Sequence, residues 1–439
     1  MPTAIEFFKL LPKTNCKDCG QPTCLAFAMQ LANQKAKIDD CPHIEQSSKD
    51  TLNESAAPPV RTVSIGGRNR IDMGGETVLY RHERRFVNPI AYALTVSDIS
   101  NVKERIAYIE KLRFERVGTV FRIDAVNIKN ESGDPSSFAK TVKEVTGATD
   151  RPIILESSNI SALKEALGIS KERRPLIYSA NASNIDEFVA VAKEFSVPLV
   201  LSSSSLEEMA DMTEKAKKAG VEDIVIDTAS SNLKQCIEKQ TTVRRSALKK
   251  KFKAFGYPMM NRLGSGEYAV AMAVISTLKY GSLVIFDDLK DYEALPLFTL
   301  RQNIYTDPQV PIQVKQDLYP INEPNEHSPI FFTTNFSLTY FTVRADIEKS
   351  KMPVWLQIVN TEGLSVLTAY SAGKFNPEHV VKAFEESKAL SRSDGMVVIP
   401  GLVARMSGKL QEMIQRNVIV GTKESKMIPK FLKELDAKE

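Results

Sequence analysis

The feature that most constrains the fold is an alternation of apolar runs and amphipathic segments between residues 91 and 305. Eight apolar runs occur there, and amphipathic segments such as DEFVAVAKEF lie between them. Short apolar runs are typical of buried strands, whereas a 3.6-residue apolar period is typical of helices. Eight strand–helix units in about 215 residues predict a (β/α)8 (TIM) barrel, the central domain of an α/β protein.

Polar residues end nearly every apolar run of this barrel. They are Asp98, Asn127, Ser157, Asn181, Ser202, Asp227, Asn261 and Asp287. The carboxyl ends of barrel strands form the face where ligands bind, so a small-molecule site is conceivable there. Polar residues end most strands of this kind in any case, and we therefore favour a barrel that serves as a scaffold.

A second α/β region follows a proline-rich stretch. Residues 304–330 contain five prolines and are typical of a linker, which we place at 306–325. Four further apolar runs then alternate with helical stretches, which predicts a Rossmann-like parallel-sheet domain over 326–439. The loops after these runs are rich in Gly, Ser and Thr but contain no G-x-G-x-x-G or P-loop pattern. Ligands of open parallel sheets bind at this edge, and a large flat macrocycle with an amide rim would suit it.

Four of the five cysteines lie within 26 residues near the N-terminus: Cys16, Cys19, Cys24 and Cys41. Structural zinc sites usually have two close Cys pairs, and only one pair here is that close. Three near cysteines and a distant fourth favour a [4Fe-4S] cluster, while zinc and reactive thiols remain open alternatives. His43 is favoured as a surface residue beside the cluster, because four thiolates complete the ligand set.

The sequence around these cysteines predicts a small domain over residues 1–57. Thr23 is a plausible N-cap, which places Cys24 in the first turn of a helix, where the helix dipole favours a thiolate. One apolar stripe of that helix is expected to contain Leu25, Ala28, Met29 and Ala32. Residues 58–90 are expected to form a linker that ends in a small hairpin. Cys236, far from the others, is expected to be a partly buried thiol on a helix.

Composition excludes several classes of partner. The chain has 58 basic and 54 acidic residues, so we expect neither nucleic acid nor an anionic membrane as its main partner. No apolar run reaches the roughly 18 residues that a membrane span needs, and no secretory signal is evident. We therefore expect a cytoplasmic protein.

Three features occur together along this chain: the cysteine motif, the eight-unit barrel, and a C-terminal domain with the segment NTEGLSVLTAYSAGKF. In this combination the whole chain resembles the large (gamma) subunit of the corrinoid iron–sulfur protein of the acetyl-CoA decarbonylase/synthase system. The resemblance implies a methyl carrier that takes a methyl group from methyl-tetrahydropterin, through a separate methyltransferase, onto Co(I) of a cobalamin. It also implies delivery to the nickel site of acetyl-CoA synthase/CO dehydrogenase, reactivation of Co(II) by the cluster, and a heterodimer with the small subunit.

The resemblance assigns residues to both cofactors. It makes Cys16, Cys19, Cys24 and Cys41 the ligands of the [4Fe-4S] cluster. The corrinoid contacts that it implies are Thr334, Tyr340, Gly363, Leu364, Ser365, Val366, Leu367, Gly421 and Met427. None of the four histidines lies in the Asp-x-His context of many cobalamin domains. We therefore expect a base-off cobalamin without a protein histidine ligand, which is easier to reduce.

Two other functions remain open on the sequence. One is an iron–sulfur electron-transfer or activator protein that binds no tetrapyrrole. The other is a pterin-binding barrel methyltransferase with an accessory cluster, in which Asp227 and Asn261 would contact the pterin.

Overall fold

A computed structural model of the chain describes residues 4–32, 35–45, 48–49 and 58–437. The fold divides into two compact units. The first contains Met1–Phe114 and Phe121–Tyr305, and the second contains Glu115–Val120 and Thr306–Glu439. The predicted domain boundaries stay predictions. Within the described residues, no helix combines the length and the apolar character that crossing a lipid bilayer requires.

The N-terminal segment has its own small core. Helices α1 (Ala4–Leu10) and α2 (Cys24–Ala32) pack against each other. The buried residues of this core are Phe7, Leu11, Cys24, Phe27, Ala28, Leu31, Ile38, Cys41 and Ile44. The expected apolar stripe of α2 is wrong in part, because Leu25 and Met29 are 40% and 51% exposed. The burial of Cys24, Phe27 and Leu31 fixes the rotation of the helix and turns Leu25 and Met29 outward.

A hairpin made of β1 (Val63–Ile65) and β2 (Ile71–Met73) lies early in residues 58–90 rather than at their end. Its residues Val63, Ile65 and Met73 are fully buried in one cluster with interior residues of the barrel. Arg174, just before a barrel strand, donates from Nε to the Ser64 carbonyl at 3.0 Å. The hairpin therefore closes the amino-terminal end of the barrel, whereas the sequence indicated a linker.

The predicted (β/α)8 barrel is confirmed. Eight parallel strands close in chain order, and the last pairs with the first. These strands are β3 (Ala91–Ser97), β6 (Ala125–Lys129), β7 (Ile153–Glu156), β8 (Leu176–Ala180), β9 (Leu199–Ser202), β10 (Ile224–Asp227), β11 (Met259–Leu263) and β12 (Gly281–Phe286). Strands β4 (Arg113–Arg116) and β5 (Thr119–Arg122) form an inserted two-stranded sheet before β6.

Eight helices pack around the barrel strands, and polar N-caps begin several of them. The helices are α3 (Val102–Lys111), α4 (Pro135–Ala148), α5 (Ile160–Ser170), α6 (Ile185–Phe195), α7 (Leu206–Lys218), α8 (Leu233–Lys249), α9 (Glu267–Leu278) and α10 (Asp291–Tyr305). The side chains of Asn101, Asp134 and Asn159 accept backbone N–H bonds in the first turns of their helices. Cys236 lies on α8, fully buried, and burial raises its pKa to about 11.

The second unit contains a five-stranded sheet in the order β13-β15-β14-β16-β17. Its strands are β13 (Leu318–Ile321), β14 (Ile330–Thr334), β15 (Val354–Val359), β16 (Val397–Ile399) and β17 (Val418–Val420). The four predicted apolar runs form the parallel strands β14 to β17. Strand β13, antiparallel to β15, lies inside the segment expected to be a linker. It contains Pro320, which an edge strand tolerates because one side of its backbone needs no partner.

Helices cover both faces of this sheet. They are α11 (Ser337–Ser350), α12 (Val366–Ser371), α13 (Pro377–Ser387), α14 (Ala389–Arg392), α15 (Ser407–Ile414) and α16 (Ile428–Asp436). Adjacent residues of β14 enter different cores: Phe332 packs near Phe375 and Phe384, whereas Phe331 packs near Phe431. The chain moves from β14 to β15 on one side and then to β16 on the other. Strands β14 and β16 therefore flank the topological switch point, where such sheets bind ligands.

Candidate functional site

The cysteine loop is held against the start of α2. The Thr23 hydroxyl caps the helix by accepting a bond from the Ala26 N–H at 3.0 Å. The Cys24 N–H donates to Asn15 Oδ1 at 2.8 Å, and the Asn15 N–H approaches Cys24 Sγ at 3.4 Å. Lys13, Asn15 and Lys17 have left-handed φ values of 59°, 51° and 71°. Alternating backbone conformations of this kind turn N–H groups toward one point and favour an anion there.

The thiols of the four clustered cysteines lie close enough to affect the pKa of Cys41. Burial raises the pKa of Cys41, and the nearby thiols of Cys19, Cys16 and Cys24 raise it further. Cys24 and Cys41 are buried, while Cys16 is exposed. Thiolates that crowd one another in a partly buried loop are stabilised by a bound metal centre. This donor set fits an iron–sulfur cluster held by the four cysteines.

His43 lies beside this loop and is bound to a carboxylate. Its Nε2 is 2.6 Å from Asp18 Oδ2, and this bond is the main cause that lowers the pKa of Asp18. Among the described residues, Cys16, Asp18 and His43 form the one set of three candidate ligands whose ligand atoms lie within 4.8 Å of one another.

A cavity of about 350 Å³ opens at the switch point of the second unit. Its walls are mostly apolar: Phe331, Phe332, Leu338, Val343, Val366, Leu367, Val398, Ile399, Pro400, Leu402 and Ile428. Its polar and small lining residues are Thr333, Thr339, Thr342, Ser365, Gly421, Thr422, Lys423 and Ser425. An apolar cavity with a few polar groups at a switch point is the usual setting of a cofactor site.

The structure brings part of the predicted corrinoid set to this cavity. Ser365, Val366, Leu367 and Gly421 line it. Thr334, Tyr340, Gly363, Leu364 and Met427 do not belong to its lining. Met427 is 42% exposed, and Thr334 is fully buried at the end of β14.

Tyr340 lies on helix α11 but does not line the cavity. The helix begins at Ser337, and Tyr340 packs beside the edge strand β13, with its ring centroid 5.2 Å from that of Tyr319. The cavity face of the same helix contains Leu338, Thr339, Thr342 and Val343. Sequence reasoning missed these four residues, although their spacing of one, four and five marks a single helical face.

Two buried hydroxyls near the cavity are unsatisfied. Within the part of the chain that the structure describes, Thr334 Oγ1 and Ser337 Oγ have no hydrogen-bond partner. Both residues are nearly inaccessible, at 0% and 2% exposure. Buried polar atoms normally find partners. Because neither residue lines the cavity, their unpaired hydroxyls do not by themselves indicate a ligand.

None of the described residues that line the cavity is a histidine. His327 Nδ1 lies 2.9 Å from Asp394 Oδ1, just before β14, and this bond raises the pKa of His327. His379 Nδ1 lies 3.1 Å from the Lys374 carbonyl oxygen. The expected absence of a protein histidine below the cobalt stays a prediction.

The barrel mouth contains polar groups that satisfy one another. Buried Asp227 accepts from the Tyr178 hydroxyl at 2.9 Å and from the Ser202 hydroxyl at 3.2 Å, and burial raises the pKa of Asp227. Asn261 Oδ1 accepts from Gln240 Nε2 at 2.5 Å. Asp227 and Asn261, the residues of the pterin alternative, are therefore engaged in the packing of the barrel itself.

Comparison with known proteins gives two family matches and several similar proteins. Residues 11–43, which contain the four clustered cysteines, match the model of a family described as "Putative Fe-S cluster". Residues 62–432 match the model of the CO dehydrogenase/acetyl-CoA synthase delta subunit family. The corrinoid/iron-sulfur protein large subunit of Moorella thermoacetica is 41% identical, with 98% of each chain covered.

The chain belongs to the corrinoid/iron–sulfur protein large-subunit family. The acetyl-CoA decarbonylase/synthase complex subunit gamma of Methanocaldococcus jannaschii is also similar, at 34% identity over 98% of this chain and 96% of the relative. The matching family model is named for a delta subunit, whereas these relatives are named large or gamma subunits. As a member of this large-subunit family, the chain matches its relatives over almost their full length.

Proposed function

We propose that this large-subunit homologue is a corrinoid-bearing methyl carrier. It accepts a methyl group that a separate methyltransferase takes from methyl-tetrahydropterin, and it delivers the group to the nickel site of acetyl-CoA synthase. The observation that carries the proposal is the pairing, in one chain, of a four-thiol site with an apolar switch-point cavity. An electron-transfer protein alone would have no need of the second site.

The proposed role of the N-terminal segment is to hold a [4Fe-4S] cluster through Cys16, Cys19, Cys24 and Cys41. Asn15 fixes the loop that contains the first two ligands against the helix that contains the third. Exposure of Cys16 leaves one corner of the site open to an electron donor or acceptor. The reducing potentials accessible to such clusters, down to about −700 mV, suit reactivation of oxidised cobalt.

The proposed role of the cavity is to hold one part of the corrinoid. Drug-sized ligands occupy cavities of about 300–1,000 Å³, and a corrinoid is larger than most of them. The cavity of about 350 Å³ therefore encloses a portion, and the surrounding loops contact the rest. When bound, the corrinoid supplies a reduced, nucleophilic cobalt. The apolar walls exclude water, while the hydroxyls of Thr339, Thr342 and Ser365 are placed to bind polar edges.

The proposed partners follow from the same role. They are a small corrinoid iron–sulfur subunit that forms a heterodimer with this chain, a methyl-tetrahydropterin methyltransferase, and acetyl-CoA synthase/CO dehydrogenase. The relatives named as gamma subunits of a decarbonylase/synthase complex support such an assembly.

The test is spectroscopic and uses protein purified without oxygen. Corrinoid absorbance is recorded before reduction, after reduction with a low-potential donor, and after addition of methyl-tetrahydrofolate with a corrinoid methyltransferase. We expect one spectral change on reduction and a second on methylation. Bound corrinoid whose spectrum responds to reduction but never to the methyl donor would contradict the proposal. Omission of the methyltransferase is the control.

A further inference from the structure

Asn335, the residue immediately after β14, is a buried hydrogen-bonding centre. It is 3% exposed. Its Oδ1 accepts from the Thr361 N–H at 3.0 Å and from the Gly363 N–H at 2.9 Å, and it lies 3.1 Å from the Thr361 hydroxyl. One side chain directly after β14 thus holds the backbone of the loop that follows the neighbouring strand β15.

The other end of the same amide binds two further side chains. Asn335 Nδ2 donates to Gln313 Oε1 at 3.1 Å and to Asn360 Oδ1 at 3.0 Å. A primary amide has two N–H donors and an oxygen with two lone pairs, so Asn335 uses its full capacity. Aspartate at this position would keep the acceptor and lose both donors, whereas alanine would lose both kinds of bond.

The loop that Asn335 holds has a backbone that needs such support. Glu362 and Gly363 adopt left-handed φ values of 58° and 76°, and the value for glutamate is unfavourable without compensation. The loop leads directly to Ser365, Val366 and Leu367, which line the cavity. Asn335 itself does not line the cavity.

We propose that Asn335 is a positioning residue for the corrinoid site, which sets the cavity edge formed by residues 365–367 through the 360–364 loop. This inference rests on the proposed function, since it assigns the corrinoid to that cavity. The amide acts on the ligand only through the loop. Its loss is therefore expected to weaken corrinoid binding by releasing the loop that forms this edge of the cavity.

The matched control is Asn322, a second asparagine of the same unit that bridges backbone groups. Its Nδ2 donates to the carbonyls of Ile347 at 3.1 Å and Met352 at 2.9 Å, and it does not line the cavity. Asn322→Ala removes bonds of the same chemistry at a site without a predicted ligand. A loss of affinity that comes only from lower stability would appear in both variants.

The experiment compares wild type, Asn335→Ala, Asn335→Asp and Asn322→Ala in full-length protein. The readouts are the Kd for cobalamin, measured by its absorbance, and the exchange rates of the Thr361 and Gly363 amides. Because the 360–364 loop is no longer held in place, Asn335→Ala is expected to raise Kd at least about tenfold. Asn335→Asp is expected to fall between Asn335→Ala and wild type, and Asn322→Ala is expected to bind as wild type does.

Two results would overturn the inference. One is wild-type Kd in either folded Asn335 variant, and the other is an equal loss of affinity in Asn322→Ala and Asn335→Ala. If Asn335→Ala does not fold, Asn335→Asp carries the same test. Wild-type protein that binds no corrinoid would overturn the proposed function and this inference together, whereas the first two results leave the proposed function intact.

Discussion

Asn15 and Cys24 are joined by two reciprocal interactions, Cys24 N–H to Asn15 Oδ1 at 2.8 Å and Asn15 N–H to Cys24 Sγ at 3.4 Å. The pair ties the cysteine loop to the first turn of α2, so three of the four proposed ligands move as one body. N–H bonds to sulfur also stabilise the thiolate form that a cluster requires.

Substitution of one of the four clustered cysteines is expected to remove the iron–sulfur cluster and to leave corrinoid binding intact. Cys24→Ser should lower bound iron while corrinoid content stays near that of wild type, because the cavity lies in the other compact unit. Reduction of bound corrinoid by a low-potential donor should slow. The measurements are iron and corrinoid content per chain. Cys236→Ala, which changes a buried cysteine of the barrel, is the control and should keep its iron.

A bulky side chain on the cavity face of α11 is expected to block corrinoid binding. Thr342 is exposed and lines the cavity, so Thr342→Trp should fill part of it with little cost to the core. Glu348→Trp places the same side chain on the same helix, away from the cavity, and breaks only a surface pair with Arg344. We expect at least a tenfold weaker cobalamin affinity in the first variant, about 1.4 kcal/mol. Equal affinities in a titration would refute the cavity assignment.

Two glycines with similar left-handed φ values allow the cost of backbone strain to be separated from the cost of side-chain crowding. Gly363 and Gly373 have φ values of 76° and 70°, and an added Cβ would meet Gln313 and Pro311 atoms at 2.9 Å in the first and open space in the second. Each Ala substitution should cost about 1–2 kcal/mol of unfolding free energy through the left-handed backbone. Gly363→Ala should cost roughly a further 1–3 kcal/mol through crowding. Denaturant unfolding measures the unfolding free energy of both variants. Equal losses would contradict the crowding at Gly363 and show that its loop can move to make room for the added Cβ.

The raised pKa of Asp227 predicts that the difference in unfolding free energy between wild type and Asp227→Asn depends on pH. Burial raises its pKa above the ordinary value of 3.8, so the unfolded chain releases this proton at lower pH than the folded chain does. The contribution of Asp227 to the free energy of unfolding is therefore fully present below about pH 4, and it is lost as pH rises through the pKa of Asp227 in the folded chain. Asp227→Asn should gain stability relative to wild type as pH increases over that window. A difference in unfolding free energy that stays constant with pH would contradict this assignment.

Asp227→Ala provides the complementary variant. It leaves the Tyr178 hydroxyl, the Ser202 hydroxyl and the Ala229 N–H without their acceptor. Buried donors that lose a partner cost about 1–3 kcal/mol, so Asp227→Ala should be less stable than Asp227→Asn at neutral pH. Thermal melts of the two variants check the order.

The barrel could be predicted from sequence because each of its strands is a local apolar run. The eight apolar runs between residues 91 and 305 correspond to the eight strands, although one of them also contains β5. Strand β13 was missed because Pro320 indicates a linker, and only pairing with β15 makes it an edge strand. The burial of Val63 and Met73 was missed because a short hairpin does not reveal its partner.

The two sites differ in how far sequence could define them. The cysteines could be singled out because their identity and spacing lie within one short segment. The cavity combines segments near residues 333, 342, 366, 399 and 422, which only the fold brings together. Thr339 and Thr342 line the cavity whereas Tyr340 on the same helix does not, because the residue at which α11 begins sets which of its side chains reach the cavity.

The central claim is that one chain holds both an iron–sulfur cluster and a corrinoid. Its most direct test is the iron and cobalt content of the protein purified anaerobically from cells supplied with corrinoid. We expect about four iron atoms per chain, as in a [4Fe-4S] cluster, and cobalt close to one atom per chain. Protein fully loaded with iron but free of cobalt, or zinc in place of iron, would contradict it.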